Sequence, residues 1–167
     1  TGQPTAPGTG WTITVSPTAG VPNGSATQPI KVSTNVALGA KLLVLTPEET
    51  FAPATATGKA GTVTPKTAGV VIPVTIKSCD KYWNQTNDMP SVRLKSSDPY
   101  AAFDPGWKTL SAGSLTMPIT HYIATESAWI GAEYGAGSSV IDYSSYTTTY
   151  FVVAPSDAVK LQVLILP

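Results

Sequence analysis

His121 is the only histidine of the 167-residue chain, so any imidazole chemistry must be centred on this residue. A hydrolytic triad would need a nucleophilic hydroxyl and an orienting carboxylate beside it in space. Serine and threonine occur along the whole sequence, and no Gly-x-Ser-x-Gly elbow marks one of them as a nucleophile. Zinc is disfavoured, because His121 and the single cysteine, Cys79, fall short of the usual ligand set. We therefore expect a protein that is not an enzyme and that carries no cofactor.

Four aspartates follow one another at intervals of several residues, at Asp80, Asp88, Asp98 and Asp104. Carboxylates and loop carbonyls are the ligands that calcium prefers, so a calcium site is conceivable here. The D-x-D-x-D spacing of a calcium loop is absent, however, and Asp98 and Asp104 each precede a proline, as is ordinary in turns. The sequence favours turns over a metal site.

Large aromatic residues lie in the same loops. Their broad faces could stack on the C–H-rich faces of sugar rings, or they could fill the core and hold the loops in place. The candidate ligand platform consists of Tyr82, Trp83 and Trp107, with Tyr100 and Trp129 as further candidates. A secreted carbohydrate-binding module is accordingly one hypothesis for the function.

Composition narrows the classes of function. Charged residues make up 12% of the chain, with ten basic against ten acidic side chains, so there is no electrostatic footprint for nucleic acid or an anionic membrane. No apolar run reaches the roughly 18 residues of a membrane span. Candidate N-glycosylation sequons at Asn23 and Asn84, together with the low charge, favour an extracellular location.

The elements that would position these residues are predicted to be strands. Fifteen prolines and fourteen glycines punctuate short apolar stretches, and no helix longer than one turn is predicted. We expect roughly eight to eleven strands. The fold class predicted is all-β, an immunoglobulin-like or jelly-roll β-sandwich with a detachable N-terminal strand. The predicted body strands are 30–36, 41–46, 69–77, 91–95, 107–110, 114–122, 128–132, 146–154 and 158–166, the last two as a hairpin.

Several details of these strands are predicted as well. Pro73 and Pro118 interrupt two strands and predict an edge position or a bulge there, since proline cannot donate to a ladder. The stretch 47–65 is predicted to be irregular, with Phe51 as a plug and a short strand at 61–64.

The N-terminal strand at residues 11–16 is set apart from the others. Trp11, Ile13 and Val15 alternate with polar residues, which is the period of a strand with one buried face. Pro/Gly-rich segments with little to bury precede and follow this strand. We therefore divide the chain into a segment 1–29, containing a tail, the candidate donor strand and a linker, and a β-sandwich domain 30–167.

An isolated strand of this kind can pair with the exposed sheet edge of another molecule and insert its apolar side chains into that molecule's core. Residues 11–16 resemble the donor segment of the CS1-like alternate chaperone–usher pilins. Residues 92–94 and 115–119 resemble the V-x-L and M-P-I strands of the same family. The chain departs from this pattern in its long 47–65 loop, its Cys79 and its aliphatic terminus.

The resemblance implies a structural subunit of an extracellular filament, a pilus or fimbria, on the cell surface. Its partners would be copies of itself in a head-to-tail polymer, and a host or surface glycan is a further possible partner. The filament would serve adhesion or biofilm formation. The alternatives are the carbohydrate-binding module and a viral capsid or tail protein, with which a neutral β-sandwich is compatible.

Overall fold

The computed structural model describes residues 40–135, 143–144, 148 and 150–161. The predicted donor strand, the sequon at Asn23 and the boundary between residues 29 and 30 lie outside these residues. Every regular element in the described part is a strand, so the all-β prediction is confirmed at this level. The strands are β1 (Ala40–Leu45), β2 (Thr50–Phe51), β3 (Lys59–Ala60), β4 (Lys66–Thr67), β5 (Val71–Cys79), β6 (Ser91–Ser96), β7 (Lys108–Thr109), β8 (Ser114–Thr120), β9 (Thr125–Ala128), β10 (Ile130–Gly135), β11 (Tyr143–Ser144) and β12 (Phe151–Ala154).

The described strands assemble into several sheets. The first sheet has the order β11-β1-β5-β8, the second β10-β6-β7 and the third β4-β12-β9, while β2 and β3 pair with each other. Neighbours run antiparallel except for β11 beside β1 and β4 beside β12, which are parallel. This arrangement of sheets is consistent with a β-sandwich.

The main core forms where apolar side chains of the first, second and third sheets meet. In β5 the side chains of Ile72, Val74 and Ile76 are buried while Val71 and Pro73 are exposed, as the period of 2 predicts. Burial of each such side chain contributes about 1.5–3 kcal/mol. Other members of this core are Leu42, Val44, Val92, Leu94, Met117, Ile119, Ile130 and Phe151.

β1 is buried on both faces, as its continuous apolar run predicts. Its second face meets a smaller cluster formed by Leu43, Leu45, Cys79 and Trp83, against which Phe51 packs as the predicted plug. Burial raises the pKa of the Cys79 thiol to about 12, so this cysteine stays protonated and unreactive.

The two prolines lie in different positions within the first sheet. Pro118 is in β8, which ends the sheet, so the edge prediction is confirmed there. β5 instead lies between β1 and β8, and the prediction of an edge strand is wrong for it as a whole. Because β1 ends opposite Thr75, however, Pro73 has a ladder neighbour only on the β8 side, where Pro118 faces it. The missing N–H of Pro73 therefore disrupts no ladder with β1.

The predicted C-terminal hairpin is wrong in the described residues. Among the described residues, the partners of β12 are β4 on one side and β9 on the other, and residues 155–161 do not pair with it. Residues 155–161 form no strand, and Val159 and Leu161 are 85% and 93% exposed. The short strand predicted at 61–64 is also absent, since β3 ends at Ala60.

Candidate ligand-binding cleft

A cleft of about 420 Å³ lies beside β6, under the loop 97–106. Its apolar wall comes from Trp129, Phe103, Pro99 and Pro105. Its lining also includes three charged residues, Arg93, Lys95 and Asp98. The volume is within the range of small-molecule sites in proteins.

Asp98 holds the loop that covers the cleft. Its Oδ1 accepts a hydrogen bond from the backbone N–H of Tyr100 at 2.8 Å, and its Oδ2 accepts from Tyr122 and Ile123 at 2.6 and 2.9 Å. Burial by itself raises the pKa of Asp98, but these three N–H donors outweigh it and hold the pKa below its ordinary value. The ionised carboxylate therefore ties the loop to the segment that follows β8.

Trp129 is fixed to the same loop through Ser97. The backbone N–H of Trp129 donates to Ser97 Oγ at 2.9 Å, and the backbone N–H of Ser97 donates to the Trp129 carbonyl at 3.1 Å. Trp129 separates β9 from β10, so these bonds anchor the aromatic wall at a break between two strands. The half-buried indole is held in place before any ligand arrives.

The charged side of the cleft comes from two neighbouring strands. Arg93 and Lys95 are two residues apart in β6 and therefore share a face, and Glu133 pairs with Arg93 in the ladder between β6 and β10. Arg93 Nε pairs with Glu133 Oε1, and Lys95 Nζ lies 2.6 Å from Glu133 Oε2. The Arg93 guanidinium also lies over the Trp107 ring, 4.7 Å from its centre. One carboxylate thus serves two cations, leaving one unit of positive charge among these three groups.

His121 lies behind the cleft, where its Nε2 is 3.1 Å from Ser96 Oγ. A serine, a histidine and an aspartate therefore come close together, but they do not form a triad. The Asp98 oxygens accept backbone N–H groups, and His121 Nδ1 is buried without a hydrogen-bond partner among the described residues. Burial lowers the pKa of His121 despite the opposing charge of Asp98, so the imidazole is neutral at pH 7 and packs on Phe151. The arrangement lacks the contact that would orient a catalytic imidazole.

Trp83, one of the three predicted platform residues, lies in the interior and is 4% exposed. Its Nε1–H donates to the Ala56 carbonyl at 3.2 Å, and Lys41 Nζ lies 4.1 Å from its ring centre. Gly58 packs so closely that an added Cβ would lie 2.5 Å from the indole. The Trp83 ring therefore contributes to the core, which is the second of the two roles considered for the aromatic residues from the sequence.

The other two predicted platform residues are elsewhere. Trp107 is 45% exposed and packs against Gly135 of the second sheet, whereas Trp83 belongs to the cluster on the first sheet. Tyr82 is half-buried, with Lys81 Nζ 4.6 Å from its ring. The structure does not bring Trp83 and Trp107 together.

The sequon at Asn84 is buried, with Asn84 itself 2% exposed. Asn84 Nδ2 donates to Asp80 Oδ2 at 2.9 Å, and Asp80 Oδ1 accepts from the backbone of Tyr82 and Asn84. The Thr86 hydroxyl donates to Ser78 Oγ at 2.9 Å. A glycan on Asn84 would displace this network, so the folded domain sequesters the predicted modification site.

The four aspartates have separate roles in turns and hydrogen bonds. Asp80 and Asp98 accept backbone N–H groups, Asp104 accepts from Gly106 and pairs with Lys108, and Asp88 accepts from a tyrosine hydroxyl. Within the described residues, no three histidine, cysteine, aspartate or glutamate side chains form a group that could hold a metal ion.

Arg93, Lys95 and Phe103 contribute to the cleft but were not predicted from the sequence as site residues, although Trp129 was among the wider aromatic candidates. The alternation of β6 already places Arg93 and Lys95 on one face, and two Asp-Pro turns follow directly. These basic residues on one strand face, followed by a turn-rich loop with aromatic residues, were the sequence signal from which the cleft could have been predicted.

The sequence matches no protein-family model, and no curated protein or solved structure is significantly similar to it. Among the described residues there is no helix with the length and apolar character needed to cross a membrane.

Proposed function

We propose that the chain is a structural subunit of an extracellular filament that assembles by donor-strand complementation and serves adhesion or biofilm formation. In this proposal, residues 11–16 of one copy pair with the sandwich of the next. Trp11, Ile13 and Val15 are the side chains that enter the neighbour's core.

The strand order supports an immunoglobulin-like sandwich as the acceptor. β1, β5 and β8 are consecutive neighbours in one sheet, while β10, β6 and β7 are neighbours in the other. Immunoglobulin-like sandwiches have the same division, with strands A, B and E in one sheet and F, C and C′ in the other. In such a fold the last strand, G, lies at the outer edge of F, which corresponds to β10.

The seam between the outer edges of β1 and β10 is the observation that carries the proposal. At one end β11 pairs with Ala40 and Lys41, and at the other the N–H of Thr148 donates to the Ile130 carbonyl at 2.7 Å. Between these points no described residue forms a ladder with the outer edge of β1 from Leu42 onward. A strand paired there would satisfy these backbone groups, and the occupant that competes with the donor strand is the chain's own segment between β11 and Thr148.

Donation of the N-terminal strand would add apolar burial to this pairing. Each of the three alternating side chains is worth roughly 1.5–3 kcal/mol when fully buried, and the ladder hydrogen bonds add to this. Because the donor and acceptor surfaces differ, pairing is head-to-tail, and it produces a fibre when the rotation between successive copies does not close a ring.

The test compares two substitutions on opposite faces of the donor strand. We expect Ile13→Asp to abolish filaments in electron micrographs of the purified protein, because it places a charge in the neighbour's core. Thr14→Asp, on the other face, should leave filaments intact, and removal of residues 1–17 should eliminate them. The proposal is refuted if Ile13→Asp and wild-type protein form the same filaments, or if wild-type protein forms none under any assembly condition.

A further inference from the structure

We propose that the cleft beside β6 binds a saccharide unit that carries a carboxylate, such as a uronic acid residue. The inference stands apart from the filament proposal, because every described residue that lines the cleft belongs to residues 93–129 and none to the candidate donor strand. It rests on an apolar wall and on two cations, Arg93 and Lys95, that share one carboxylate and keep unused hydrogen-bond donors.

The apolar wall suits the C–H face of a pyranose ring. Trp129 and Phe103 are half-buried, so each keeps part of its surface available to the cleft, and Pro99 and Pro105 complete the wall. Aromatic faces are attracted to such polarised C–H groups. Because Ser97 already holds Trp129, ordering the wall on binding costs little conformational entropy.

The polar groups of the cleft are rich in donors and poor in free acceptors. Within the described residues, Arg93 makes a hydrogen bond through Nε alone, and Lys95 contacts only Glu133. Their remaining N–H groups are available to a ligand. Both Asp98 oxygens already accept backbone N–H groups. A ligand that presents oxygen acceptors, rather than donors, matches this arrangement.

The charge balance adds a requirement for negative charge. Glu133 compensates one of the two cations. Asp98 also lines the cleft, but both of its carboxylate oxygens accept backbone N–H groups. An incoming carboxylate is therefore attracted locally to Arg93 and Lys95. Arg93 can bind a carboxylate through two parallel N–H groups, while Trp107 supports its guanidinium from one side. A neutral saccharide would use the wall but leave these groups without a partner.

The experiment titrates the folded protein with trigalacturonic acid and, as a matched neutral probe, galactotriose, and follows the indole N–H resonance of Trp129 by NMR. We expect saturable shifts with the acidic trimer and at least about tenfold weaker binding of the neutral one, with an affinity that falls as salt is added. Equal affinity for both trimers, or shifts with neither, overturns the proposal.

Two exposed cations give a variant test that does not perturb the core. Lys95→Gln and Arg93→Gln should each weaken binding of trigalacturonic acid several-fold, while Lys108→Gln, which removes a cation paired with Asp104, should leave the affinity unchanged. If Lys108→Gln weakens binding as much as Lys95→Gln, the attraction belongs to the whole surface and the assigned cleft is wrong.

Discussion

Asp98 and Asp104 occur in the same local sequence, each before a proline, yet the structure predicts very different consequences for their replacement by asparagine. Asp98 is 5% exposed and its carboxylate accepts three backbone N–H groups from two segments of the chain. Asp104 is exposed, accepts one N–H from Gly106 and pairs with Lys108 at the surface. Asp104→Asn is therefore a matched control for Asp98→Asn.

The expected cost of Asp98→Asn follows from its hydrogen bonds. Asparagine keeps one acceptor oxygen, so either the pair of N–H groups on Oδ2 or the single one on Oδ1 faces an amide NH₂ instead. A hydrogen bond to a charged group contributes roughly 1.5–3 kcal/mol, and the two on Oδ2 are weakened by water near the exposed Tyr122 and Ile123. We expect a loss of about 2–4 kcal/mol in the free energy of unfolding, and a clearly smaller loss for Asp104→Asn.

Urea unfolding followed by circular dichroism measures both losses, and pH supplies an independent check. Because the folded pKa of Asp98 lies below its ordinary value of 3.8, its stabilisation is present above that pH and is lost as the pH falls through the folded pKa. The difference between wild type and Asp98→Asn should therefore shrink toward pH 2. Equal losses for the two variants at pH 7, or a difference that persists undiminished in acid, would refute this reasoning.

Two further predictions concern the packing behind the cleft and the smaller cluster. Because burial lowers the pKa of His121 from 6.5, the unfolded chain binds the proton more readily, so the free energy of unfolding should fall as the pH drops below about 6.5. His121→Gln should reduce the change in the urea midpoint between pH 7.5 and 5. An unchanged pH dependence in this variant would contradict the attribution to His121. Gly58→Ala should destabilise the fold by about 1–3 kcal/mol more than Gly69→Ala. Both glycines have positive φ, but only at Gly58 would the new Cβ lie 2.5 Å from Trp83. Thermal melts measure both losses of stability, and equal losses would mean that Trp83 moves aside freely.

The local parts of the fold were predictable from the sequence because they depend on nearest neighbours. Alternation in β5 placed Ile72, Val74 and Ile76 on one buried face, and the continuous apolar run of β1 implied burial on both faces. Phe51 was expected to cover a core and does so. For the strands, the spacing of the apolar residues predicts which side chains are buried, because successive side chains of a strand point to opposite faces of the sheet.

The predictions that were wrong concern which segments of the chain pack against each other. The apolar alternation of residues 158–166 predicts a strand, but the described part of this segment, 158–161, forms none, and the described partners of β12 are β4 and β9. Trp83 and Trp107 both occur in polar loops, and nothing near either residue indicates that they pack on different sheets. Which strand pairs with which depends on residues far apart in the sequence, so the alternation within one segment does not predict its pairing partner.

The role of Asp98 in the cleft is also non-local and could not be predicted from the sequence around it. Asp98 lies in a turn that looks ordinary in sequence, but its carboxylate joins the loop 97–106 to the segment after β8, and Ser97 in the same loop holds Trp129. If these bonds pre-organise the wall, Asp98→Asn should weaken binding of trigalacturonic acid even in protein that remains folded, whereas Asp104→Asn should not. Unchanged affinity in the folded Asp98→Asn protein would show that the wall forms without the carboxylate, and would leave Ser97 as the group that positions Trp129.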